Sequence, residues 1–188
     1  MTEVVIALGA NLPLDNQPPM ETLNSALKLL GNISSLSYTR RSRWYRSPAY
    51  PPGSGPDFVN GAACFETDLR AADVLELLHE TEANLGRSRE WRWAPRVCDL
   101  DLLFRGQQVL PDEQTCAEWM ALDQGKAQTV VPPHLILPHP RMHERAFVLL
   151  PLAEICPNWC HPLTGKTVEE MASALAAADL QQLEPIEE

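Results

Sequence analysis

Apolar and polar positions recur with a readable period over most of the chain, and those periods predict an order of elements. Residues 3–8 alternate weakly and are rich in β-branched side chains before Gly9-Ala10-Asn11-Leu12-Pro13 breaks the run, which predicts a first strand. Met20, Leu23, Leu27 and Leu30 recur at helical spacing, and Gly31-Asn32 supplies the stop. Residues 34–46 mix polar, β-branched and aromatic positions and predict one long strand ending near Ser47-Pro48. Pro51-Pro52-Gly53-Ser54-Gly55-Pro56 is a loop, and Phe58 to Thr67 reads as a third strand. Ala71 to Leu85 is an amphipathic helix with Val74, Leu77, Leu78 and Leu85 inward, closed by Gly86. Asp99 through Phe104 completes the set as a strand, with Gly106 starting a turn.

This β-α-β-β-α-β order predicts an α+β fold, a ferredoxin-like sandwich. Its sheet would be antiparallel, with strands two and three paired as a hairpin and two helices on one face. Residues 107–131 are polar without a sustained period and read as an insertion. Ala146 to Ile155 and Val168 to Ala178 predict C-terminal helices, and Pro185-Ile186-Glu187-Glu188 is expected to fray. With no internal repeat and no interdomain linker, residues 1–188 read as a single domain.

Composition narrows the function classes. A chain of 188 residues, 45% hydrophobic, suits one compact domain with a sizeable core. No run approaches the ~18–20 apolar residues of a membrane span, and the N-terminus lacks a secretory pattern, so a cytoplasmic protein without membrane contact is expected. Five cysteines without a framework spacing read as reduced thiols. A net charge of -10 argues against nucleic-acid binding. Arginine is nevertheless concentrated in a few places, as local anion sites require.

The chemistry centres on Asp99-Leu100-Asp101. In a strand both carboxylates point to one face, while Cys98, Leu100 and Leu102 point to the other. Unpaired burial of two carboxylates is costly, and a solvated face paired with lysines fits poorly where lysines are nearly absent. A hard divalent ion such as Mg²⁺, which takes one or two carboxylates plus substrate phosphates, suits the pair. Just upstream, Arg87, Arg89, Arg92 and Arg96 are interleaved with Trp91 and Trp93. Guanidinium forks match phosphate oxygens, and indoles offer a stacking surface. Phe58 and Asn60 share a strand face and could grip a flat heterocycle by stacking and edge hydrogen bonds, although a core ring and a turn amide would look the same.

His139 and His143 are four apart, but Pro140 between them and the lack of a third soft ligand count against zinc. Cys156-Pro157-Asn158-Trp159-Cys160-His161 reads as core thiols on a turn, and Gly9-Ala10-Asn11 as only a strand-ending turn. Carboxylates plus arginines thus suggest metal-assisted phosphoryl chemistry. A metal-dependent phosphatase or nucleotide hydrolase stays open, and an RNA-binding module is disfavoured by the acidic charge.

Taken in order, Ala7-Leu8-Gly9-Ala10-Asn11, Tyr45-Arg46-Ser47-Pro48, Asp57-Phe58-Val59-Asn60-Gly61-Ala62, Gly86-Arg87-Ser88-Arg89, Trp93-Ala94-Pro95-Arg96 with Asp99-Leu100-Asp101, and His139 with Arg145-Ala146-Phe147 resemble the 6-hydroxymethyl-7,8-dihydropterin pyrophosphokinase family of folate biosynthesis. The resemblance implies transfer of pyrophosphate from ATP to 6-hydroxymethyl-7,8-dihydropterin, giving AMP, and a monomer is expected. It implies two Mg²⁺ ions on Asp99 and Asp101, with Arg87, Arg89 and Arg96 completing the catalytic set on or beside a closing loop. It puts His79, Glu82, Arg89, Arg96, His139 and Arg145 at the nucleotide, and Ser47, Pro48, Tyr50, Phe58, Asn60, Trp93 and Phe147 around the pterin. The family pattern departs at His79, Phe58 and Pro140, where Gln, Tyr and an aromatic are common.

Overall fold

The computed structural model describes residues 1–49, 53, 55–86, 97–123 and 130–187. Its elements in chain order begin with β1 (Thr2–Ala10), α1 (Pro19–Gly31), β2 (Ser37–Arg41), β3 (Tyr45–Ser47), β4 (Phe58–Thr67), α2 (Ala71–Asn84) and β5 (Asp99–Arg105). They continue with α3 (Glu113–Met120), a 3-10 turn at Met142–Glu144, α4 (Ala146–Ile155), α5 (Val168–Ser173), α6 (Ala177–Leu180) and β6 (Glu184–Pro185).

The sheet is antiparallel, in the order β5-β1-β4-β3-β6, with β2 also paired to β4. One face carries Val4, Ile6, Leu8, Phe65, Leu100 and Leu102, which pack against Leu23, Ala26 and Leu30 of α1 and Val74 and Leu78 of α2. The opposite face carries Val5, Cys64 and Phe104 beneath Val148, Leu149 and Leu152 of α4 and Val168 and Met171 of α5. Burying both faces of the central strands explains why β1 and β4 read as nearly continuous apolar runs.

A bulge sets the geometry at the β5 edge. The β1–β5 register shifts between Val5 and Ile6, so Leu103 is the extra residue and both it and Phe104 join the second core. The Leu103 carbonyl then accepts the His139 amide at 2.7 Å, tying the 138–145 segment beside β5. On the other side α4 is pinned to the sheet by Glu154, which accepts from the Arg43 amide (2.9 Å), from Arg43 Nε (2.7 Å) and from the Tyr45 hydroxyl.

Four expectations need correction. The single strand over 34–46 is two, β2 and β3, because residues 42–44 leave the regular ladder to bury Trp44. The Ser42 hydroxyl replaces a backbone acceptor for the Ala62 amide (3.0 Å), and the Trp44 ring lies over Gly61, where a Cβ would come within 2.5 Å of it. The insertion contains a helix, α3, whose start is capped by Asp112 accepting from the Thr115 amide at 2.8 Å. The expected helix from Val168 to Ala178 ends at Ser173 and a separate short turn, α6, follows. Glu184–Pro185 does not fray but pairs with β3, and the Ile186 amide donates to the Trp44 carbonyl at 2.8 Å.

Candidate active site

Residues directly opposite in antiparallel strands share a face, so the register assembles the site. Gly9 stands opposite Asp99 on one side and Asn60 on the other, and Asn60 in turn opposes Tyr45. Ala7 likewise stands between Asp101 and Ala62. The row Asp99–Gly9–Asn60 therefore has a floor without a side chain at its centre, and two strand spacings, roughly 9–10 Å, separate the outer backbones. Asp99 and Asp101 are half-buried and share a face, as their spacing predicts, while Cys98, Leu100 and Leu102 are buried beneath the helices.

Beside this row, Asn60 Nδ2 donates to Ser47 Oγ at 2.9 Å, and both residues are buried. Ser47 opposes the half-buried Phe58, which shares its face with Asn60. An amide, a hydroxyl and a ring thus meet at one end of β3 and β4, while Pro48 just beyond is exposed. Asn11, just past the end of β1, donates from Nδ2 to the Pro56 carbonyl at 3.2 Å and ties the approach to β4 to this end.

Glu82 stands differently from expectation. It is 1% exposed and accepts the Leu100 amide at 2.7 Å. Leu100 lies between the two aspartates, so a charge-assisted bond from α2 fixes the strand segment that carries them. Glu82 thus lies beneath the sheet, bonded to the strand between the two aspartates, while His79, one turn earlier on α2, is half-buried.

His139 closes the β5 side. Burial, with Arg145 and Arg141 nearby and Asp99 opposing them, lowers its imidazole pKa to about 3, so the ring is neutral at physiological pH. Nδ1 accepts the Arg141 amide at 3.1 Å, which assigns the proton to Nε2 and leaves that N–H as a donor. Arg145, at the entrance to α4, sets its guanidinium 5.7 Å from the centre of the Phe147 ring, which is 40% exposed.

Asp99, Asp101, His139, Arg145, Asn60, Ser47 and Phe58 thus belong to one end of one sheet face or its β5 border. Arg87, Arg89, Trp93, Arg96 and Tyr50 lie outside the described residues. Gly9 is the functional position that sequence reasoning missed. Read as a turn, it is instead a strand residue whose missing side chain opens the floor, and only the cross-strand register reveals that. Two carboxylates two residues apart, opposite Gly9 and Ala7 of β1, form a hard-oxygen donor set that fits Mg²⁺.

The family model described as 7,8-dihydro-6-hydroxymethylpterin-pyrophosphokinase (HPPK) matches residues 5–157. The 2-amino-4-hydroxy-6-hydroxymethyldihydropteridine pyrophosphokinase of Synechocystis is 36% identical over 167 residues, covering 89% of this chain and 73% of its own length. That of Haemophilus influenzae is 31% identical over 185 residues, covering 98% of this chain and all of its own. Among solved structures, the Plasmodium falciparum HPPK-DHPS chain superposes with a TM-score of 0.64 at 13% identity over 92% of this chain, a likeness of fold. This chain spans 44% of that longer one. With most of its length matched in this way, the chain belongs to the 7,8-dihydro-6-hydroxymethylpterin-pyrophosphokinase family.

Proposed function

We propose that the chain transfers the pyrophosphoryl group of ATP to 6-hydroxymethyl-7,8-dihydropterin, releasing AMP and the pterin diphosphate, as a step of folate biosynthesis. The observation that carries this reading is the Asp99–Gly9–Asn60 row, which spaces a metal-type carboxylate and a heterocycle-type amide across an open floor. The strand order, with β2 and β3 taken as one broken strand, supports a ferredoxin-like frame beneath it.

Two Mg²⁺ ions fit as partners of Asp99 and Asp101, and when bound they supply positive charge against the triphosphate. The protein's own task is positioning and charge stabilisation, because phosphoryl transfer of this kind needs little covalent help. The neutral His139 offers its Nε2–H to a phosphate oxygen at no cost in protonation, and Arg145 adds a fixed positive charge from the entrance to α4. His79 approaches the nucleotide from α2, and Arg87, Arg89 and Arg96 complete the phosphate contacts on the strength of their sequence pattern. Ser47, Asn60 and Pro48 meet the pterin edge, and Phe58, Phe147, Trp93 and Tyr50 meet its faces and rim. The pterin hydroxymethyl oxygen attacks the β-phosphorus, and the bond to the α-phosphate oxygen breaks to release AMP.

We read residues 1–188 as one catalytic domain acting as a monomer in the cytoplasm. No helix among the described residues is long and apolar enough to cross a membrane. Incubation with ATP, Mg²⁺ and the pterin alcohol, followed by nucleotide chromatography, is the direct test. AMP that forms only when the pterin is present is the expected product. Phosphate release without AMP would instead identify a hydrolase.

A further inference from the structure

At the covered end of the same sheet face lies a second group of reactive side chains. Cys64 of β4 and Cys156, just past the end of α4, face each other with their sulfurs 3.4 Å apart. Both are buried. Arg40 of β2 reaches over them, donating from Nη2 to Cys156 Sγ at 3.3 Å and to Glu3 Oε2 at 2.7 Å, and from Nε to the Ile155 carbonyl at 2.9 Å. Glu3 Oε1 lies 3.9 Å from Cys156 Sγ. The Arg40 and Glu3 side chains are 43% and 35% exposed, so the thiols lie beneath a solvent-facing ion pair.

Glu3, Cys64 and Cys156 gather their ligand atoms within 4.8 Å, the spacing of a metal centre. The guanidinium already neutralises Glu3 and touches Cys156, so a cation would have to displace it. Thiol chemistry is favoured by the same contacts. The hydrogen bond shared with Cys64, together with Arg40, holds Cys156 below the ordinary thiol range against the opposing effects of burial and of Glu3. That hydrogen bond and burial push Cys64 up. The Arg40 guanidinium donates to Cys156, which places that sulfur to attack and Cys64, 3.4 Å away, to resolve.

We propose that Cys64 and Cys156 form a reversible oxidation site that closes to an intramolecular disulfide between β4 and the end of α4 when the protein meets a peroxide. The Cys156 thiolate attacks one peroxide oxygen, the O–O bond breaks, and sulfenic acid and hydroxide form. The Cys64 sulfur then attacks the sulfenic sulfur, its proton leaves with the departing hydroxyl as water, and the S–S bond forms. Two thiols lose two electrons and the peroxide gains them. The sulfurs need to approach by little more than about 1 Å. Neither thiol is part of the proposed transfer site, so the proposal stands apart from that reading.

Treatment of the unmodified full chain with hydrogen peroxide, then acid quenching, alkylation of remaining thiols under denaturing conditions and peptide mass mapping, tests it. The expected result is a peptide joining Cys64 to Cys156, an intact mass lower by two hydrogens, and reversal by a dithiol. The melting temperature of the oxidised chain should rise, because a link across 92 residues restricts the unfolded chain. In Cys64→Ser, Cys156 should stop at a sulfenic acid trapped by dimedone. Arg40→Gln should slow closure roughly tenfold by thinning the thiolate population. If peroxide oxidises only the exposed Cys160, or links separate chains, or leaves both Cys64 and Cys156 open to alkylation, the proposal is overturned.

Discussion

Along the sheet face that looks toward α4, β1, β4 and β5 present Gly9, Asn60 and Asp99 at one end and Val5, Cys64 and Phe104 at the other. The two ends share strands, alternation and hydrogen-bond ladder, yet they do different things. The second end is covered by α4 and α5, so its side chains are selected for packing, and Trp159 stacks on Phe104 with ring centres 3.9 Å apart. The first end is not covered by α4 or α5 among the described residues, and it carries the carboxylates, the amide and the side-chain-free floor. Coverage, which the strands do not themselves encode, separates a core from a site.

Substitutions at the two ends should separate activity from stability. The largest effect expected is at the carboxylates. Asp99→Asn or Asp101→Asn should lower kcat/KM about 10³-fold or more, since several kcal/mol of charge stabilisation would depend on the metal proposed to bind them. Thermal melting should change little, and a variant with near-parental kcat/KM at saturating Mg²⁺ would remove the metal role. At the covered end, Phe104→Ala should cost about 3–5 kcal/mol of stability by denaturant titration, with turnover per folded molecule unchanged at low temperature. Gly9→Val fills the floor between Asp99 and Asn60 and should lower kcat/KM about 100-fold, chiefly through binding, with a near-normal melting curve. Calorimetric titration with the pterin and the nucleotide separately would show which half of the site it blocks.

Smaller effects sharpen the picture. Glu82→Ala strands the Leu100 amide and should cost about 1–3 kcal/mol, with part of the loss appearing in kcat as the aspartates loosen. Glu82→Gln keeps an acceptor and should recover most of both. If Glu82→Ala raised only the KM for ATP, direct nucleotide contact would be the better account.

The last prediction concerns pH. His161 is fully buried, and burial, with His143 nearby, lowers its pKa to about 4. The unfolded chain takes up that proton below about pH 6.5, whereas the folded chain resists it until about pH 4. Stability is thus intact above pH 6.5 and falls across that window, by on the order of 3 kcal/mol. Melting curves of the parent and His161→Gln should differ in slope between those limits, and identical slopes would remove His161 as the cause.

Much of the frame was legible because period survives burial. Strand β4 and helix α4 begin and end where alternation and apolar density say, and Asp99 and Asp101 share a face for the same reason. The break at residues 42–44 was hidden because Trp44 is β-forming by propensity. Its burial over Gly61 depends on a neighbouring strand far along the chain. The segment from Pro185 looked frayed because a two-residue strand such as Glu184–Pro185 has no period of its own. The family resemblance put Glu82 at the nucleotide; its burial and its bond to the Leu100 amide are visible only in the structure, because a glutamate on an amphipathic helix carries no mark of facing inward.

What the amino-acid sequence determined alone is the inventory: strands and helices set by periodicity, two carboxylates held to one face by the two-residue repeat, and arginines where an anion would need them. Tertiary structure decided the rest, because register and coverage join residues that local rules cannot relate. Register put Gly9 between Asp99 and Asn60, and the placement of α4 sealed Cys64 against Cys156 at the other end of the face.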